Sequence, residues 1–428
     1  MHADGARSLL FVNAAQIATC AGAGSARRGR AMGDAGIVAG AAVLVRGETI
    51  EAVGPQAPLE RAHRDAERVD CRGMLLTPGL VDSHTHAIFG RARYAEQEQR
   101  AAGTDYMEIA RRGGGIHASV RDLRTRPEDE LLALATPRLR ALASYGTTTV
   151  EIKSGYGLTL EDELKTLRVI ARLAADLPIR LVPTWLGAHE IPQEYRGAQG
   201  GRDDYLRLLI NDMLPVIAAE RLARFADVFC EQGVYTVSES RTVLTAARSA
   251  GLGIKLHADE LQPSGGAELA GELQATSADH LAAVSEQGIA ALAHAGTIAT
   301  LLPGTMLFLG KTKQAPARAL IDAGVAVALA TDFNPGTSPT VNFPLILTLA
   351  VSQLRLSATE ALVAATVNGA AALGLADRTG QISPGFSADL ALFEAEDLRE
   401  LPYWYGDRRC RASWTRGKPC HPYELGIP

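Results

Sequence analysis

Three observations set the fold class. Eight short apolar runs occupy the middle of the chain, helical stretches separate most of them, and β-rich segments lie at both ends. Apolar runs separated by helices predict a parallel sheet buried on both faces, and eight such units predict a closed barrel. The predicted class is α/β: a TIM-type (β/α)8 barrel with a small composite β-sandwich domain built from both termini. The length of 428 residues suits one large domain and one smaller one.

In chain order, residues 1–76 carry the β-branched runs LLFVNAAQIA, VAGAAVLVRGETIEAVG and ERVDCRGMLL, broken by Gly and Asp. RGETIEAVG predicts a hairpin, with a Gly-Glu turn between two strands. The small, basic, Gly-rich stretch from Ala21 to Ala35 predicts an exposed loop outside the site. Residues 77–376 hold the barrel runs GLVDSHTH, GTTTVEIKSGYG, IRLVPTWLGAHE, FADVFCE, LGIKLHADE, ATSADHL, GTIATLLPG and VAVALATDFNPG. ELKTLRVIARLAADL and SRTVLTAARSAGL are examples of the helices between them. Residues 377–428 return to short strands and turns, and pair with residues 1–76 as one β domain.

Composition narrows the function. A net charge of −5 offers no basic field for nucleic acid. Five Cys with no CxxC pair suggest neither a disulfide framework nor a cysteine zinc site. No apolar run reaches the roughly 18 residues that a membrane helix needs, and the first residues lack a signal-peptide core. A soluble, cytoplasmic protein with no membrane partner is the expectation.

A barrel places functional residues at the C-terminal ends of its strands. The run ends carry His84 and His86; Glu151, Lys153 and then Tyr156; His189 and Glu190; Cys230 and Glu231; His257, Asp259 and Glu260; Asp279 and His280; and Asp332 followed by Asn334. Four of the first six runs end in His, although the chain has only ten. His84 and His86 alternate on a strand, so both imidazoles face the barrel mouth. Neutral imidazole is a good ligand for Zn or Fe, and His257 and Asp332 at other strand ends complete a set that leaves a coordination position open.

These residues carry a family resemblance. TPGLVDSHTH, HADE, SADH and ATDFNPG resemble the amidohydrolase superfamily. HTHAIFGRAR, RRGGGIH, SYGTTTVEIKSGYGL, LGAHEIP, KLHADEL, GGAELAGEL, SADHL, LLPGT and ATDFNPGT, in that order from Thr77 to Thr337, resemble the imidazolonepropionase family. NGAAALG and GQISPGFSADLA extend the likeness towards the C-terminus. The resemblance implies metal-dependent hydrolysis of the cyclic amide C–N bond of 4-imidazolone-5-propanoate to N-formimidoyl-L-glutamate, a step of histidine degradation. It implies one Zn2+ or Fe2+/Fe3+ per subunit held by His84, His86, His257 and Asp332. Glu260 resembles the carboxylate that handles protons of the attacking water, and His280 the histidine that assists attack; with Asp332 they form the implied catalytic group. Arg93, Tyr156, His189, Glu260, Asn334, Gly336 and Thr337 match substrate contacts, and Tyr106 is a weaker match. The family's members resemble dimers, so a homodimer acting on a small-molecule substrate is implied.

Three positions depart from the family pattern: Ser83 where Pro is common, Arg91 where a small residue is usual, and Thr337 where Ser is usual. Arg91 adds a second cation near the carboxylate clamp. The rival readings are a binuclear amidohydrolase bridged by a carboxylated lysine, a mononuclear deaminase of cytosine or guanine type, and an inactive scaffold. The first needs a lysine on the fourth run, which offers Cys230 and Glu231 instead; Lys153 lies on the second. The deaminase shares the ligands but has no use for Arg93 or SGYG. The scaffold would have lost ligands that are all present here. His117 and His294 read as structural, and Trp185 as core.

Overall fold

The computed structural model describes residues 7–104, 108–109, 112–197 and 200–422. Eight parallel strands form one sheet among these residues, neighbours in chain order: Leu80–Asp82, Thr147–Lys153, Arg180–Ala188, Phe225–Cys230, Gly253–Ala258, Ser277–His280, Ile298–Leu301 and Val327–Leu329. They fall on the eight predicted runs. Just beyond the strands the sheet closes. Thr85 and Phe333 form a parallel bridge, the His86 amide donates to the Phe333 carbonyl at 2.8 Å, and the Asp332 amide donates to the His84 carbonyl at 3.1 Å. Closure therefore draws the ends of the first and last strands, with His84, His86 and Asp332, into contact.

The strands are buried along nearly their whole length because helices cover their outer faces. Thr147–Lys153 has no exposed residue. The helix Leu160–Asp176 starts where the Thr159 hydroxyl accepts the Asp162 amide, and it buries Leu164, Leu167, Ile170 and Leu173, spaced three apart on one face. Thr236 and Glu239 form a capping box on the helix Val237–Ser249. His294 lies exposed in the last turn of Glu286–Ala295 and Trp185 is buried, as their neutral readings expect.

Two further sheets come from the chain's two ends. One has the order Thr49–Pro55, Ala41–Arg46, Ser8–Val12, Glu67–Asp70; its first pair is the predicted hairpin. The other has the order Lys418–His421, Cys410–Thr415, Leu390–Phe393, Leu75–Pro78, Gln16–Ala18, Ile37–Val38. Leu390–Phe393 runs antiparallel to Leu75–Pro78, so the later strands complete the earlier ones. Leu9, Phe11, Val43, Leu76, Leu392 and Trp414 share one core there, with the Phe11 and Trp414 rings edge-on at 4.9 Å. Leu75–Pro78 itself spans the expected boundary between residues 76 and 77.

The Ala21–Ala35 segment is mostly exposed and lies outside the recess, as expected, but it is anchored to the barrel at Met32. Gly29–Gly33 is a short 3-10 turn whose Met32 is fully buried, and the Arg27 amide donates to Asn368 Oδ1 at 2.7 Å. The stretch packs against the outside of the barrel because one large apolar side chain among small residues is enough to anchor it.

Candidate active site

Three imidazoles and a carboxylate converge at the barrel mouth. His257 Nε2 lies 3.4 Å from His86 Nε2, and Asp332 Oδ1 lies 3.6 Å from His84 Nε2 and 3.7 Å from His86 Nε2. His84, His86 and His257 form one buried group able to hold an ion, and His84, His280 and Asp332 another. Zn–N bonds of about 2.0–2.1 Å at tetrahedral angles put ligand atoms roughly 3.4 Å apart, so these separations fit a cation in their midst. The buried His84 Nε2 has no hydrogen-bond partner, as a nitrogen kept for a metal requires.

The far sides of two of these rings are held by carboxylates. Asp279 Oδ2 lies 2.6 Å from His84 Nδ1. Asp227 Oδ2 lies 3.0 Å from His257 Nδ1, off the ideal hydrogen-bond line, while Asp227 Oδ1 accepts the His257 amide at 3.1 Å. A carboxylate behind a ligating imidazole fixes its tautomer and aim. Burial, followed by neighbouring cationic groups, pushes the His84 and His86 rings well below the usual histidine range, which keeps them neutral and able to ligate.

Lys153 cannot serve as a bridging carbamate here. Its Nζ is enclosed by Asp227 at 2.8 Å, Glu151 at 2.9 Å and Asp279 at 3.5 Å, the surroundings of an ammonium ion. Cys230 is buried with its thiol pushed up to about 11, chiefly by desolvation, and is no metal ligand.

His280 and Glu260 stand beside the imidazole cluster with Nδ1 and Oε2 3.7 Å apart. Burial and then the charges of Asp332 and Glu231 push the Glu260 carboxyl well above its usual range. Burial and then His257 push the His280 ring well below its own. A carboxyl that resists ionisation beside a histidine that resists protonation is a pair suited to exchanging protons. Asp332 is raised to about 6 by burial, against the Thr305 hydroxyl that donates to it at 2.6 Å. His280 and Asp332 both have left-handed backbone, φ 78° and 53°. Such strain costs about 1 kcal/mol or more per residue and marks side chains turned out of strand register into the mouth.

One small recess of about 40 Å³ is lined by His86, Arg93, Tyr156, His189, His257, Glu260, His280, Asp332, Asn334 and Thr337. His84 is fully buried. Gly336 lies against Arg93, for a Cβ there would fall 1.6 Å from the Arg93 guanidinium. Tyr106 lies outside the described residues. Arg93 is 8% exposed and lines the recess, with its Nε 3.6 Å from Glu96 and its Nη1 3.5 Å from the Ser119 hydroxyl. Arg91 differs: it is exposed, and its amide donates to Asp122. His189 Nδ1 lies 2.9 Å from the Gly155 carbonyl, and its ring stacks on His86 at 5.1 Å; burial pushes it down to about 3, so it is neutral. Asn334 organises its own loop, its Oδ1 accepting the amides of Gly336 and Thr337 and its Nδ2 reaching Thr337 Oγ1.

A larger cavity of about 410 Å³ shares Ile116, Phe229 and Glu260 with the recess and opens past Lys311 and Lys313. His117, which the sequence suggested was structural, is buried at its wall with Nε2 4.0 Å from Glu190. Asp227, Glu163 and Glu96 are the site-shaping residues missed by sequence reasoning. Asp227 did leave a signal: an acid inside the apolar run FADVFC has to be paired.

Comparison with known proteins agrees with this geometry. A model of the amidohydrolase family matches residues 93–421. Imidazolonepropionase of Chloroflexus aggregans is 46% identical over 407 residues, covering 93% of this chain and 95% of its own. Imidazolonepropionase of Geobacillus kaustophilus is 45% identical over 417 residues, covering 96% and 97%. Among solved structures, an adenosine deaminase from Xanthomonas campestris with bound zinc superposes with a TM-score of 0.70 at 20% identity, covering 96% of this chain and 92% of its own. Ochratoxinase of A. niger gives 0.70 at 18%, covering 97% and 96%. At such identities the structures speak for the fold alone, whereas sequence identity near one half along almost all of the chain, on a barrel whose mouth gathers three imidazoles and a carboxylate, makes this chain a member of the amidohydrolase family and, within it, of the imidazolonepropionases.

Proposed function

We propose that this chain hydrolyses the cyclic amide C–N bond of 4-imidazolone-5-propanoate, giving N-formimidoyl-L-glutamate. The observation that carries the reading is the placing of a buried arginine, Arg93, in the same recess as the imidazole–carboxylate cluster. A metal-dependent hydrolase of an anionic substrate needs both. His84, His86, His257 and Asp332 would hold the metal, which when bound supplies a Lewis acid and acidifies water. We take it to be a single Zn2+ or Fe2+/Fe3+ ion; His₃Asp suits either element.

The remaining work falls to the chain's own groups. Arg93 holds the propionate tail through its guanidinium. Tyr156 and His189 form the wall against which the ring lies, and Asn334, Gly336 and Thr337 shape the loop that closes the opposite side. Glu260 in its ionised form, made more basic by burial, accepts the proton of the attacking water and returns it to the ring nitrogen that leaves. His280 donates towards the oxygen on which charge develops as water adds to the carbonyl carbon. Asp332 orients the water by hydrogen bonding. Proton work is thus shared within one coupled set, Glu260, His280 and Asp332.

In this reading residues 77–376 form the catalytic barrel, and residues 1–76 with 377–428 the composite β domain. The protein works in the cytoplasm as a homodimer, without nucleic acid or membrane. Among the described residues no helix is long and apolar enough to cross a membrane. The test follows the ultraviolet absorbance of freshly generated imidazolonepropionate with metal-replete protein. Rapid loss is expected; no loss above the spontaneous rate would refute the substrate.

A further inference from the structure

Beneath the imidazole cluster lies a layer of charge that the proposed chemistry does not use. Lys153 and Lys255 are both 0% exposed, as are Glu151 and Asp279, and Asp227 is 2% exposed. Lys153 Nζ contacts Asp227, Glu151 and, at 3.5 Å, Asp279. Lys255 Nζ contacts Glu151 at 2.8 Å and the Ser83 carbonyl at 2.9 Å, and lies 3.7 Å from Asp279. Ser277 donates to Asp279 Oδ1 at 2.6 Å, and Thr184 to Glu151 Oε1 at 2.5 Å. The five groups come from the second, fourth, fifth and sixth barrel strands, so the layer spans the barrel interior.

Burying five ionisable side chains is expensive, and an apolar layer of the same volume would serve stability as well or better. What an apolar layer could not do is pin a carboxylate in place behind a ligating imidazole. Two of the three carboxylates here do that: Asp279 stands behind His84 and Asp227 behind His257. Lys153 touches both.

We infer that Lys153, supported by Lys255, is a positioning residue: by touching both Asp279 and Asp227 it holds them in place, and through them fixes the aim of His84 and His257 for metal binding. Lys153 does not line the recess. Its influence passes through two separate carboxylate–imidazole pairs, so losing it loosens two ligands at once. The inference rests on the proposed ligand set.

The test measures metal affinity, apart from turnover. Apo protein is loaded with Co2+, its affinity is read by competition with a chelator, and the visible spectrum reports ligand geometry. Asp279→Asn and Asp227→Asn each remove one orienting carboxylate without changing volume. Each should weaken Co2+ binding about 10–100-fold and shift the visible bands. Lys153→Met should weaken it at least as much. If Lys153→Met does not fold, Lys153→Met/Asp227→Asn removes one charge of each sign, and should bind more weakly than Asp227→Asn alone. Affinity and spectrum equal to the parent's in these variants, with only the apo thermal midpoint lowered, would show that the layer merely builds the barrel, and would overturn the inference. His84→Ala is the control for the ligand set: if it keeps parental Co2+ affinity, the ligand assignment itself is wrong and the inference falls with it.

Discussion

Arg93 and Gly336 act as one unit. The Arg93 amide donates to the Pro335 carbonyl at 2.9 Å, and its guanidinium occupies the space where a side chain at residue 336 would stand. Arg93→Ala should raise KM for imidazolonepropionate about 10–100-fold, the size of a lost charge-assisted hydrogen bond, with a smaller change in kcat. Gly336→Ala should act through the same group: the new methyl displaces the guanidinium and KM rises similarly. The double variant should then be no worse than Arg93→Ala alone, since neighbours sharing one function are not additive. Steady-state kinetics on the three variants check this, and additive losses would separate the two residues. At this scale the sequence was readable where a residue ends a strand, as His84, His257 and Asp332 do. It was silent on Glu96, because an acid in the first turn of Tyr94–Ala101 reads as a favourable helix start and gives no hint that it faces Arg93.

Among the elements, the turn SGYG and the helix after it show how a loop is made rigid. Glu163 lies in the first turn of Leu160–Asp176, yet its Oε1 reaches back to accept three amides: Gly155 at 3.1 Å, Gly157 at 2.9 Å and Leu158 at 3.0 Å. Gly155 has φ 100°, and a Cβ there would meet His189 Nδ1 at 2.9 Å, so glycine permits both the turn and the close approach of the histidine. One buried carboxylate therefore sets Tyr156 and, through the Gly155 carbonyl, His189. Glu163→Ala leaves three buried amides without their acceptor. It should destabilise the protein by roughly 3 kcal/mol, seen as a lower denaturant midpoint, and raise KM. Glu163→Gln keeps one acceptor oxygen and should lose less. Helix and turn were both legible, the first from its periodicity and the second from its glycines. The bond between them was not, because a carboxylate folded back on the preceding loop leaves no periodic trace.

For the molecule as a whole, the eight strands were legible because each is a short run rich in apolar residues, and all but the seventh end in polar residues. The anchoring of Met32 was not, because a single apolar residue in a Gly-rich stretch makes no pattern. The net charge of −5 offers an anionic substrate no long-range attraction, so in the proposed reaction attraction would be local, from Arg93 and from a cation held by the imidazole cluster. Metal that binds only the folded chain also stabilises it. Free metal at a thousand times Kd contributes about 4 kcal/mol. With an unfolding entropy of roughly 2.1 cal/mol/K per residue, chelation should lower Tm by about 5 °C. Calorimetry with and without chelator checks this, and an unchanged Tm would show that the cluster binds no ion.

The antiparallel pairing of Leu75–Pro78 with Leu390–Phe393 also governs the order in which the chain can assemble. Leu75–Pro78 leads directly into the first barrel strand, and its other neighbour, Gln16–Ala18, is made early. During synthesis that strand waits with one edge open while the whole barrel emerges, and is covered only when Phe393 has been added. Barrel closure is equally late, since it needs Phe333 against Thr85. A nascent chain thus exposes an unpaired strand edge for most of its elongation, and a ribosome stalled before Phe393 would carry a barrel whose leading strand, Leu75–Pro78, still lacks its later partner.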